Sequence, residues 1–131
     1  MFNPLEKVES EKAPKAIGPY SQAVVVGGFL FASGQIGISH STGKMVEGGI
    51  KEQTKQVLDN IDGVISERNI GFDRVLKVTV YLKDIKDFQA MNEVYATKFK
   101  HEPKPARETV QVAALPKDAL VEMSCMAYVG E

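Results

Sequence analysis

Arg107 stands in Pro105-Ala106-Arg107-Glu108-Thr109-Val110, where a loop hands over to a strand. A guanidinium keeps its charge and presents a planar fork of donors matched to a carboxylate. Pro105 fixes its own φ and restricts the residue before it, so the chain approaches Arg107 stiffly. An Arg presented this way can hold a small acid by two bonds, although a surface Arg in an ordinary ion pair has the same local sequence. Glu122 is a carboxylate inside an otherwise apolar run, Leu120-Val121-Glu122-Met123. If buried it would keep its proton to higher pH and could exchange protons near neutrality; if exposed it is a solvated Glu. Ser33-Gly34-Gln35 ends a strand, and glycine there lets a ligand approach the backbone N–H, though a plain strand end or bulge reads alike. Tyr20 follows the turn signal Gly18-Pro19 and could aim its hydroxyl into a cleft; a packed tyrosine is the alternative.

Other chemistries find no support. One cysteine, Cys125, and two distant histidines, His40 and His101, show no metal-ligand spacing. Gly34-Gln35-Ile36-Gly37 matches the Gly-x-x-Gly of KH domains, but it lacks basic flanks and a helix on each side. With a net charge of −1 there is no broad attraction to nucleic acid or anionic membranes, so neither is an expected partner. Cys125 lies mid-strand and reads as an inert core thiol. A lone cysteine makes no internal disulfide, and the expected location is the cytoplasm. Residues 1–14 are charged and carry no apolar leader, and the apolar stretch Ala23 to Ala32 is interrupted by Gly27-Gly28 and too short to span a membrane.

The elements that must position these residues can be read from periodicity. The 131 residues suggest one domain over 1–131, with 1–12 as an N-terminal arm or short edge strand. Val24-Val25-Val26 and Phe29-Leu30-Phe31 flank Gly27-Gly28 as a hairpin. Ile50, Val57, Leu58, Ile61, Val64 and Ile65 fall at helical spacing, and Asn69-Ile70-Gly71 ends that helix. Val75 to Leu82 alternates, predicting Leu76, Val78, Val80 and Leu82 on one face. Asp84 is expected to cap a second helix lined by Phe88, Met91, Val94, Tyr95 and Phe99. Strands are expected over Thr109–Ala113 and Leu120–Val129. The order β-β-α-β-α-β-β, with no linker or repeat, predicts a two-layer α+β domain with both helices on one face of the sheet. In the last strand Val121, Met123, Cys125 and Ala127 share one face while Leu120, Met126 and Tyr128 lie on the other. Two helices cover only one face, so the second apolar face predicts self-association.

Three segments resemble one known family. Ala13-Pro14-Lys15-Ala16-Ile17-Gly18-Pro19-Tyr20-Ser21-Gln22-Ala23 resembles the N-terminal signature of the RidA (YjgF/YER057c/UK114) family, and Ser33-Gly34-Gln35-Ile36 its second motif. Pro105 to Pro116, followed by Ala119-Leu120-Val121-Glu122, resembles the third. The resemblance implies a chorismate-mutase-like α+β fold with a mixed six-stranded sheet, assembled as a homotrimer with sites between subunits. It also implies hydrolytic deamination, without a cofactor, of 2-aminoacrylate/2-iminopropanoate and 2-iminobutanoate, the products of pyridoxal-phosphate dehydratases. By that resemblance Arg107 would grip the substrate carboxylate and Glu122 would activate water. Ser33 and the backbone of Gly34 would lie near the reacting carbon, with Tyr20 and Asn92 completing the pocket. Many members carry Cys where this chain has Thr109, which rules out thiol chemistry there while keeping a hydrogen-bonding hydroxyl. The alternatives are a small-carboxylate-binding regulatory module without turnover and, less well supported by charge, an endoribonuclease. Chorismate mutase activity rests on fold analogy alone.

Overall fold

The computed structural model describes residues 4–130. Strand β1 (Glu6–Val8) forms one edge of the sheet and pairs antiparallel with β2 (Ala23–Val26). Gly27 and Gly28 have φ of 57° and 88°, a region costly for L side chains, and they turn β2 tightly into β3 (Phe29–Gln35) with Val26 opposite Phe29. Helix α1 (Ile50–Ile65) buries Val57, Leu58, Ile61, Val64 and Ile65. A 3-10 turn over Ser66–Arg68 follows it, and Asn69, at φ 59°, closes the end. Strand β4 (Val75–Leu82), helix α2 (Phe88–Lys98), strand β5 (Ala106–Gln111) and strand β6 (Val121–Tyr128) complete the chain.

The sheet order is β1-β2-β3-β6-β4-β5. Every pairing is antiparallel except β4 with β5, which α2 joins as a crossover. The core lies between the helices and one sheet face, with Leu30, Leu58, Ile61, Leu82, Met91 and Met123 among its fully buried side chains. Each contributes roughly 1.5–3 kcal/mol of burial. This is the expected mixed, six-stranded α+β architecture.

Several local expectations are corrected. Leu76 is 43% exposed, because a register irregularity between Val75 and Lys77 turns it outward and gives Val75 the inward place. Asp84 accepts from the Lys86 N–H and caps a 3-10 turn over Ile85–Asp87 rather than α2 itself. Strand β5 begins at Ala106 rather than Thr109, since β4 pairs with it from Lys77 onward.

The second face of the sheet carries no helix. There Phe31 lies opposite Met126 and Phe29 opposite Tyr128, the latter rings meeting edge to face at 5.8 Å. All four are exposed to about the same degree, 36–44%. These four side chains form an exposed apolar strip on the face away from the helices.

Candidate functional site

Two groups of side chains form, one on each side of the sheet. The first is built on α2 and the edge strand β5. Parallel pairing sets Arg107 beside Val78, whose side chain faces the helices, so Arg107 faces the helices too. Its Nη1 donates to Asn92 Oδ1 at 2.6 Å. Its guanidinium carbon lies 4.6 Å from the Tyr95 ring centroid and 5.5 Å from that of Phe88. Phe88, Asn92 and Tyr95 are four and three residues apart and therefore share one helix face. Thr109, two residues beyond Arg107, faces the same way, and its Oγ1 is buried without a hydrogen-bond partner. The neighbouring Glu108 pairs with Lys77 at 2.9 Å on the opposite side of the strand. No ion pair among the described residues involves Arg107. Among the described residues the ordinary surface salt bridge is thus absent, and the charge is held by neutral groups.

The second group forms on the uncovered face. Between β3 and β6, Ala32 pairs with Cys125 and Gln35 with Met123, so Ser33 and Gly34 together oppose Ser124. This is a β-bulge, a device that re-aims a short stretch of backbone. It brings Gly34 against Glu122: a Cβ added at Gly34 would lie 2.0 Å from Glu122 Oε2. Only glycine leaves that carboxylate room. Glu122 is half-buried, and burial raises its pKa above the ordinary carboxylate value. The Ser33 hydroxyl donates to the Ser21 carbonyl at 2.6 Å, and the Ser33 N–H to the Gln22 carbonyl at 2.9 Å. Gln22, buried, accepts from the Ser10 N–H and donates to the carbonyls of Ser10, Ala13 and Pro14. These bonds fix the loop that carries Tyr20, which is 54% exposed and whose hydroxyl accepts from the Ile17 N–H at 3.4 Å.

The structure thus brings together Arg107, Asn92 and Thr109 on one side, and Gly34 and Glu122 on the other, with Ser33 in their bulge. Within one chain the sheet separates Arg107 from Glu122. Two surface hollows, of about 470 and 480 Å³, are lined by other residues, Lys12, His40 and Asp62 among the first and Lys51, Glu93 and Lys98 among the second. The sequence alone assigns Phe88 and Tyr95 to one apolar face of the second helix and gives them no part in the site. The available signal was Asn92, a polar residue within the apolar stripe Phe88, Met91, Tyr95 and Phe99. Cys125 is a buried thiol whose pKa burial pushes up to about 12, as an inert core cysteine requires.

A mixed sheet with helices on one face, a shielded cation at one edge and a carboxylate seated against a bulge characterise this α+β domain. The family described as Endoribonuclease L-PSP matches residues 10–129. A RutC family protein of Pyrococcus abyssi is 55% identical over 123 residues, covering 94% of this chain and 96% of that protein. The human 2-iminobutanoate/2-iminopropanoate deaminase is 46% identical over 123 residues, covering 94% and 89%. Among solved structures, Escherichia coli TdcF with bound serine superposes at a TM-score of 0.88, with 35% identity and coverage of 94% and 98%. The chain belongs to the RidA family, which includes proteins named as imine deaminases.

Proposed function

We propose that this protein hydrolyses 2-imino acids, 2-iminopropanoate and 2-iminobutanoate and their enamine tautomers, to 2-keto acids and ammonia. The observation that carries the proposal is the pair of half-sites: a carboxylate-matching cation with no ion-pair partner among the described residues, and a carboxyl group with a raised pKa against a bulge. The match to the human deaminase supports the reaction class, and serine in the related E. coli structure supports a small carboxylate-bearing ligand.

Because the sheet separates Arg107 from Glu122, one substrate can meet both only where two copies adjoin. We place the site there, between subunits of a homotrimer that covers the Phe29, Phe31, Met126 and Tyr128 strip. Arg107 of one copy, steadied by Asn92, forks onto the substrate carboxylate, with the Thr109 hydroxyl beside it. Glu122 of the next copy takes a proton from water as the water oxygen bonds to the imine carbon. Glu122 returns that proton to the nitrogen, completing the tetrahedral carbinolamine. It then takes the carbinolamine's hydroxyl proton and passes it to the nitrogen as the carbonyl forms, the C–N bond breaks and ammonia leaves. The imine carbon is already electrophilic, so orientation and one proton relay suffice. The backbone at Gly34, with Ser33, borders the reacting carbon, and Tyr20 closes the cleft. No cofactor takes part, and the cytoplasm, where dehydratases release such imines, is the proposed location.

The test couples the protein to a serine or threonine dehydratase and follows keto-acid release. Acceleration over buffer is expected; none would refute the reaction. The family's description as an endoribonuclease favours a second reading. Cleavage of RNA by clean protein, lost on Arg107→Ala, would support it. The net charge of −1 argues against it, since phosphate binding draws on clustered cations.

A further inference from the structure

We infer that Tyr95 is a positioning residue, whose ring face holds the Arg107 guanidinium in the orientation from which it receives a substrate carboxylate. This rests on the role proposed above for Arg107. A long side chain on an edge strand samples many rotamers, and gripping a ligand must first freeze them. Here the freezing is done before a ligand arrives. Tyr95 lies beneath the guanidinium at 4.6 Å, Phe88 stands at 5.5 Å, and Asn92 Oδ1 takes one Nη1 hydrogen at 2.6 Å. A cation over a ring face is attracted by the ring quadrupole.

Tyr95 is in turn packed into the core. It is 7% exposed and stacks on Phe99 at 4.2 Å and 23°, and Phe99, 3% exposed, meets Phe72 edge-on at 4.9 Å. The column Phe72, Phe99, Tyr95 thereby carries the rigidity of the core out to the cation at the sheet edge. All three contacts to Arg107 come from one face of α2. The ring also leaves the charge intact. Burial raises the Tyr95 phenol to about 12 against the opposing pull of Arg107, so the ring stays neutral at working pH. A carboxylate in its place would fix the guanidinium equally well but would occupy the fork meant for substrate. Steadying by neutral groups is therefore the arrangement a carboxylate receptor needs. Among the described residues the phenol oxygen completes no hydrogen bond of good geometry, although Arg107 lies close enough to oppose its raised pKa through a side-chain contact as well as through charge. The holding is assigned to the ring, and Tyr95→Phe separates ring from hydroxyl.

The test compares wild type, Tyr95→Phe, Tyr95→Leu and Arg107→Ala. Titration calorimetry with 2-oxobutanoate gives Kd, the dehydratase-coupled assay gives KM and kcat, and urea unfolding checks the fold. Tyr95→Leu is expected to weaken 2-oxobutanoate about tenfold and raise KM alike, the worth of one long side chain left unfrozen, with kcat nearly unchanged. Tyr95→Phe is expected to bind and turn over as wild type does. A folded Tyr95→Leu that binds 2-oxobutanoate like wild type overturns the inference, as does Tyr95→Phe failing alongside it. Should Tyr95→Leu fail to fold, the wild type decides. Its Arg107 Nε–H proton is expected to be shifted by the ring current and its guanidinium rotation slowed on NMR; a freely averaging guanidinium at random-coil shifts overturns the inference. The underlying reading fails separately. If wild type binds 2-oxobutanoate through Arg107 but releases no keto acid from the imine, the deaminase proposal falls, while the binding ratio still decides the role of Tyr95.

Discussion

In the proposed site, Arg107→Ala removes two charge-assisted bonds to the substrate carboxylate, each worth roughly 1.5–3 kcal/mol, so kcat/KM is expected to fall about 10²- to 10⁴-fold. Far-UV circular dichroism should remain that of the wild type, because Arg107 lies at a sheet edge. Arg107→Lys should recover little, since a point charge cannot fork. Glu122→Gln separates function from stability. Its loss as a proton relay is expected to lower kcat roughly 10²- to 10⁴-fold. The sign of its stability effect follows from burial. Burial raises the folded pKa, so the folded state binds the proton more tightly than the unfolded chain does. Stability contributed by the protonated form is therefore lost as pH rises from the unfolded pKa through the folded one. Above that window Glu122→Gln should be more stable than wild type, and below it the difference should vanish. Urea midpoints across acid and neutral pH check this.

At the level of elements, two glycines hold parts of the structure close together. In Gly34→Ala the atoms nearest the new Cβ would all belong to the Glu122 side chain, Oε2 at 2.0 Å, Cδ at 2.9 Å and Cγ at 3.1 Å. The bulge should survive, the carboxylate should swing away, and kcat should fall with little change in urea midpoint. Gly63 in α1 is the opposite case. A Cβ there would lie 2.5 Å from the Lys12 backbone carbonyl, beside the Ser10 hydroxyl that donates to the Gly63 carbonyl at 2.8 Å. Backbone cannot swivel aside as a side chain does. Gly63→Ala is expected to push the 10–14 segment off α1 and to cost about 1–3 kcal/mol by denaturant unfolding. That segment also anchors the Tyr20 loop through Gln22, so activity should fall as well.

For the whole molecule, the decisive question is how Arg107 and Glu122 meet. Mixing Arg107→Ala with Glu122→Gln protein, then unfolding and refolding them together, should restore part of the activity. A mixed assembly can place an intact Arg107 from one copy against an intact Glu122 from the other. Assay of the refolded mixture, with each variant refolded alone as control, decides this; no recovery would rule out a shared site. Phe31→Glu, in the uncovered strip, should yield a 14.3 kDa species by sedimentation and abolish turnover.

Much of this was legible in the chain. Alternation in Val121 to Tyr128 assigned both faces of β6, and Gly27-Gly28 specified the hairpin, because period and turn chemistry are local properties. Arg107 and Glu122 stood out by residue type and setting. The outward turn of Leu76 was not legible, since a bulge depends on the partner strand's register. Nor was the side that Arg107 takes, opposite the face alternation gives Glu122, or the column of rings beneath the guanidinium. Local sequence sets what each segment prefers and which groups carry charge. Pairing and packing between distant segments decide which of those groups face one another, and here they put the two halves of the chemistry on opposite sides of one sheet.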